Sequence, residues 1–169
     1  MKIFYKCRDI QGLCLIITLI TGVKARIFRP SISGQDQKKL PLIIHYHGGG
    51  FCVESSLDAF ITRMLTILTS IATAITVSVD YRHAPEHPLP IAFEDSWSAL
   101  QWVSTHLNSE GPEPWLNQFV DFIRVFIVGE NSGTTIAHHI AVQAGISKGF
   151  EGLKIRGAVI VYHYFVDSD

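Results

Sequence analysis

Two glycines four residues apart, Gly129 and Gly133, bracket Asn131 where an apolar run at 123–128 gives way to a helical stripe of Ile136, Ala137, Ile140, Ala141 and Ala144. A chain passing from strand to helix in so few residues makes a strained turn that brings backbone segments close together, and only small residues fit two positions before and two after its centre. Centring the turn on Ser132 would put Glu130 and β-branched Thr134 at those crowded positions. The frame therefore selects Asn131 and leaves the hydroxyl of Ser132 one residue out of place. A buried strand followed at once by a packed helix is the repeating unit of an α/β sheet.

The rest of the chain repeats that unit. Residues 13–20 and 24–28, separated by Thr21-Gly22, read as a pair of strands, and 29–40 as a polar loop containing Pro30 and Gly34. Residues 42–46 form a continuous apolar run that ends in Gly48-Gly49-Gly50, a buried parallel strand entering a glycine loop. Phe60, Ile61, Met64, Leu65, Leu68 and Ile71 recur at helical spacing, and 74–79 is the next strand. Pro85, Pro88 and Pro90 make 80–90 a stiff loop, and Phe93, Trp97, Leu100, Val103 and Leu107 mark a second helix. Residues 108–120, with Gly111, Pro112 and Pro114, read as a loop, and 158–161 as a last strand. There are no internal repeats and no linker, so residues 1–169 are expected to form a single, partial domain.

With 47% hydrophobic and 17% charged residues the chain can bury a core around one sheet. A net charge of -1 with scattered Lys and Arg excludes a basic stripe for nucleic acid or an anionic membrane surface and favours a small neutral ligand. Cys7, Cys14 and Cys52 are an odd set without metal spacing, which points to idle thiols in a reduced, intracellular setting. The run at 13–20, preceded by Lys2, Lys6 and Arg8, lacks a signal cleavage site and is short of the ~20 residues that span a bilayer; it is read as a strand. His45 and His47 share a strand face without a further ligand at metal spacing, and adjacent His138 and His139 point about 100° apart on a helix. No metal site is expected.

His47-Gly-Gly-Gly-Phe51 at a strand end suits acyl transfer, because residues without side chains let N–H groups converge on an oxygen that becomes negative. Together with Asp80-Tyr-Arg-His-Ala-Pro-Glu-His-Pro-Leu-Pro90, Gly111-Pro-Glu-Pro-Trp-Leu116 and Gly129-Glu-Asn-Ser-Gly133 followed by Ile136-Ala-His-His139, it resembles the plant carboxylesterases. These form part of the hormone-sensitive-lipase branch of α/β-hydrolases, which also holds the gibberellin receptors and the 2-hydroxyisoflavanone dehydratases. The resemblance runs from about residue 21 to 165. It implies an α/β-hydrolase fold with helices on both faces of a mostly parallel sheet, a catalytic serine at the position of Asn131, and an oxyanion hole from the N–H groups of Gly49, Gly50 and Ser132. His47 and Gly48 would support the loop, and no cofactor is needed.

The chain departs from that pattern twice. An asparagine amide cannot be deprotonated into a nucleophile as a serine hydroxyl can, although asparagine tolerates positive φ and so keeps the turn. In this fold the acid and base follow the nucleophile in chain order, and nothing after residue 133 fits: His138 and His139 lie on the elbow helix, His163 follows the last strand, and Asp167 and Asp169 close the sequence. The family's chains are roughly twice as long, so this one is expected to be truncated after about six of eight strands. It would then leave 158–161 as an apolar sheet edge prone to aggregation. The expected function is a cytosolic carboxylesterase-like hydrolase with impaired catalysis and a small ester or acid as ligand. The alternatives are a non-catalytic binder resembling the gibberellin receptors and a dehydratase-like lyase. Ser132 is the out-of-frame candidate nucleophile. Tyr81, Arg82, Pro85 and Glu86 are read as scaffolding, Trp97 and Trp102 as core, and Phe51 and Cys52 equally as acyl-pocket lining or buried wall.

Overall fold

A computed structural model describes residues 3–6, 12–19, 21–31, 38–147 and 150–163. Cys7, the middle of the polar loop at 32–37, Asp167 and Asp169 lie outside the described residues. The elements run β1 (Ile3–Lys6), β2 (Gly12–Thr18), β3 (Lys24–Pro30), β4 (Leu40–Tyr46), α1 (Ala59–Ala72), β5 (Ile75–Asp80), α2 (Ile91–Ser104), α3 (Pro114–Phe119), β6 (Val120–Glu130), α4 (Ser132–Ile146) and β7 (Ile155–Val161).

The strands form one sheet in the order β1-β2-β3-β5-β4-β6-β7. β5, β4, β6 and β7 pair in parallel, while β3, β2 and β1 add to the β5 side in antiparallel fashion. Apolar runs fill the central strands because parallel strands are covered on both faces. Gly22, with φ +87°, closes the β2–β3 hairpin.

The pleat sends alternate residues to two separate cores. Leu15 and Ile17 of β2, Ala25 and Ile27 of β3, Leu42, Ile44 and Tyr46 of β4, and Val77 and Val79 of β5 join α2 and α4 in the larger one. Cys14 and Phe28 point the other way, onto Ile61 and Leu65 of α1. Polar residues fill out that second face: Arg26 binds Thr62 and the Cys14 sulfur, Thr69 donates to Thr76 at 2.6 Å, and His45 Nδ1 lies 2.9 Å from Ser78 Oγ.

The first of the seven strands, Ile3–Lys6, pairs with β2 through Ile3↔Ile16 to Lys6↔Leu13. Two expectations need correction. Residues 108–120 are not all loop: α3 starts at Pro114, whose missing N–H costs nothing in a first turn, and buried Glu113 caps it by accepting the Trp115 N–H at 3.1 Å. Within the α1 stripe, Phe60 and Ile71 face solvent at 74% and 80% exposure, and their inward places are taken by Thr66 and Thr69. A threonine hydroxyl that binds a carbonyl one turn back, as Thr66 does to Thr62 O at 2.7 Å, is packed at little polar cost.

Candidate active site

The parallel pairing of β4 with β6 brings the two glycine motifs side by side. Tyr46 registers against Gly129, so the loop after β4 and the turn after β6 leave the sheet at the same edge. Asn131 takes φ 50° and ψ -121°, a conformation L residues rarely adopt, at the N-terminus of α4. The flanking glycines are required by backbone, not by side chains. A Cβ on Gly129 would lie 2.2 Å from Gly133 O, and one on Gly133 would lie 2.1 Å from Tyr46 O.

Although asparagine is a favoured N-cap, the Asn131 side chain does not cap α4. Its Oδ1 instead accepts the Gly50 N–H at 3.1 Å, so the amide carbonyl rests on a donor of the expected oxyanion hole. Asn131 is exposed; Ser132 is buried, and its hydroxyl accepts the Phe51 N–H at 3.2 Å and binds the Tyr81 phenol. Ser132 thus ties the elbow to the glycine loop from beneath and does not face the opening.

Tyr81 is the brace of this arrangement. Its hydroxyl donates to His47 O at 2.8 Å and Gly48 O at 3.0 Å, and its ring stacks on His47 with centroids 4.2 Å apart. Burial pushes the phenol pKa up, so the hydroxyl stays protonated well beyond neutral pH. Tyr81→Phe should cost about 1–3 kcal/mol, since it strips a partner from two buried carbonyls and from Ser132; urea unfolding measures it. Arg82 continues the scaffold by gripping Asp95 of α2 through its Nε at 2.9 Å and a terminal nitrogen at 2.7 Å. Pro85 and Glu86 are exposed.

His47 lies fully inside, with Nδ1 3.1 Å from Gly48 O, and burial lowers its pKa to about 4. His106 is likewise lowered by burial, and its Nε2 accepts the Glu113 N–H at 3.0 Å, a role open only to the neutral ring. Between an unfolded value of about 6.5 and the lower folded values, the unfolded chain takes up protons that the folded one refuses. Stability therefore falls as pH falls through that window, by at most about 1.4 kcal/mol per pH unit for each histidine. The urea midpoint should drop between about pH 7 and about pH 5, a range above ordinary carboxylate titration. A flat midpoint there would contradict neutral burial.

A cavity of about 350 Å³ opens on this edge, lined by Gly48, Gly49, Gly50, Glu54, Phe60, Ile61, Glu130, Asn131 and Tyr162. Partial burial, then the charges of Glu130 and Asp58, hold the Glu54 carboxyl above its ordinary range. Glu130 Oε1 lies 3.6 Å from His45 Nε2. Sequence reasoning misses Glu54, Glu130, Phe60 and Tyr162 as cavity residues: a glutamate before the elbow residue is a visible signal, whereas the others reach the cavity only through the fold. Phe51 packs into the core against Phe93, and Cys52 is exposed. Trp102 is buried, and Trp97 packs edge-on against Phe150. Among the described residues no group of three or more His, Cys, Asp or Glu side chains could hold a metal ion, and no helix is long and apolar enough to cross a membrane.

The chain is similar in sequence and fold to known proteins. Over 150 residues the chain is 43% identical to a probable carboxylesterase 1 of Arabidopsis thaliana, covering 87% of this chain and 47% of the relative. It is 44% identical to a 2-hydroxyisoflavanone dehydratase of Glycine max, covering 86% and 46%. The fold superposes on an esterase of the archaeon Pyrobaculum calidifontis with a TM-score of 0.63 and 32% identity, over 79% of this chain and 40% of that one. The chain spans about half the length of the curated relatives it matches. A family profile described as the alpha/beta hydrolase fold matches residues 43–168, a stretch holding both glycine motifs. With a glycine loop and a strand-to-helix elbow meeting at the edge of a sheet that extends in parallel from β5 to β7, the chain belongs to the alpha/beta hydrolase fold family.

Proposed function

We propose that the chain carries the acyl-transfer framework of a carboxylesterase-type hydrolase with its chemistry disabled at the elbow. One observation carries this reading: Asn131 holds the elbow conformation, with its amide oxygen on Gly50 N–H, but offers no ionisable nucleophile. The two hydroxyl-bearing alternatives are engaged elsewhere, Ser132 under the glycine loop and Tyr81 on its carbonyls. His47, the histidine nearest the loop, binds Gly48 O and stacks on Tyr81. In this reading the hole donors are Gly49, Gly50 and Ser132 N–H, and the protein works in the cytosol. The ligand is a small neutral ester in preference to an anionic acid, because Glu54 and Glu130 line the same cavity.

The test is hydrolysis of a short-chain p-nitrophenyl ester by the purified 169-residue chain. Turnover should stay at the level of buffer, and Ser132→Ala should not change it. Sustained turnover that Ser132→Ala abolishes would overturn the reading. A non-catalytic ligand binder is the second reading, favoured by retention of the cavity and glycine loop where the nucleophile is lost. Calorimetric titration with the same ester, showing saturable heat without hydrolysis, would select it.

A further inference from the structure

We propose that Asn131 is a self-modification site, at which the elbow drives loss of the asparagine amide through a cyclic imide with the Ser132 backbone nitrogen. The reaction needs that nitrogen to reach Asn131 Cγ, which demands a near-planar five-membered ring of Cα, Cβ, Cγ, C and the following N. For an L residue the torsion Cβ–Cα–C–N equals ψ plus about 120°, so ring closure needs ψ near minus 120°, a value that helices and strands do not supply. Asn131 sits at ψ -121°. Its Cβ already eclipses the nitrogen of Ser132, and the barrier that normally protects asparagines in folded proteins is met by the elbow itself.

Two further features act in the same direction. Gly50 N–H points at Oδ1 from 3.1 Å, the atom that becomes negative when Cγ turns tetrahedral, so a hole shaped for an ester oxyanion polarises the side-chain amide instead. Ser132 is the first residue of α4, and its N–H makes no intrahelical bond that the reaction would break. The exposure of Asn131 gives water access.

The balance is complete with water as the only co-reactant. The Ser132 nitrogen forms a bond to Cγ, the Cγ–Nδ2 bond breaks, and ammonia leaves with the proton from Ser132 N–H, relayed by solvent. Water then opens the imide at Cγ to give aspartate, or at the backbone carbonyl to give its β-linked isomer. Nothing is oxidised or reduced. The aspartate product places at the elbow a carboxylate, which can act as a nucleophile where an amide cannot.

Asn108-Ser109 provides an internal control, being the same dipeptide on an exposed turn outside the elbow. The purified chain is incubated at neutral pH in native buffer and in urea. Peptides containing residues 131 and 108 are then followed by mass spectrometry for the exchange of NH for O, with Asn131→Asp as the product standard. The rate at 131 relative to 108 should be about tenfold or more higher in native buffer than in urea, the size of effect expected when a fold holds reacting atoms in place. Any smaller ratio, including no conversion of Asn131 in the folded chain, overturns the proposal.

Discussion

Gly133→Ala is expected to cost about 3 kcal/mol or more and to leave little cooperatively folded protein, because the added methyl has no side chain to push aside. Its Cβ would sit 2.1 Å from Tyr46 O and 2.5 Å from His47 O, both backbone atoms at the end of a central strand. Relief would require α4 or β4 to move, and those elements carry Ile136, Ile140, Leu42 and Ile44, all fully buried in the main core. Gly129→Ala should behave alike, since its Cβ would meet Gly133 O at 2.2 Å and Thr134 N at 2.8 Å. Gly145→Ala, on the same helix as Gly133 but with open space around its Cβ, is the control, and helix propensity should make it neutral or stabilising. Urea unfolding of the three variants decides the matter: equal midpoints would mean that the close approach of strand and helix does not constrain this turn.

A second contrast lies inside the glycine loop. Gly49 has φ +87°, and its Cβ would fall 2.0 Å from Val53 O, while its own carbonyl closes a tight turn by accepting N–H groups from Cys52 and Val53 at 3.0 Å. Gly50 has φ +59° but nothing within 4 Å of where a Cβ would stand. Gly49→Ala therefore combines conformational strain with a backbone collision and should lose about 3 kcal/mol or more, whereas Gly50→Ala meets strain alone, about 1–2 kcal/mol. Both retain the backbone N–H. Comparing urea midpoints separates the two, and a Gly50 variant as damaged as the Gly49 one would show that φ alone governs the loop.

Much of this was legible in the chain because the signals are local. The frame of Gly129 and Gly133 around Asn131 depends only on spacing, and the clash distances give its cause. The apolar runs at 42–46, 74–79 and 123–128 all became central strands, since a strand covered on both faces has no polar alternation to blur it. What stayed hidden depends on partners far along the chain. Ile3–Lys6 is too short to declare itself without β2. Phe60 and Ile71 matched a helical stripe by spacing, yet the inward positions went to threonines that satisfy their own hydroxyls. The proline-rich surroundings of Tyr81 mark it as scaffold, but the carbonyls it braces belong to a loop more than thirty residues earlier. The engagement of Asn131 with Gly50 could not be read from either motif alone.

The two hydrogen bonds that join the motifs, Gly50 to Asn131 and Phe51 to Ser132, each span 81 residues. Closing so large a loop costs little more equilibrium free energy than closing a short one, because the entropy grows only with the logarithm of length. Its effect on rate is far larger, since distant parallel pairings delay folding in a way that hairpins and helices do not. The β2–β3 hairpin and α1 can form from neighbours, but the site exists only once β6 has found β4. In refolding, the bonds that define the site should be among the last to become protected from hydrogen exchange, and a nascent chain holds no trace of it until the second motif has been made.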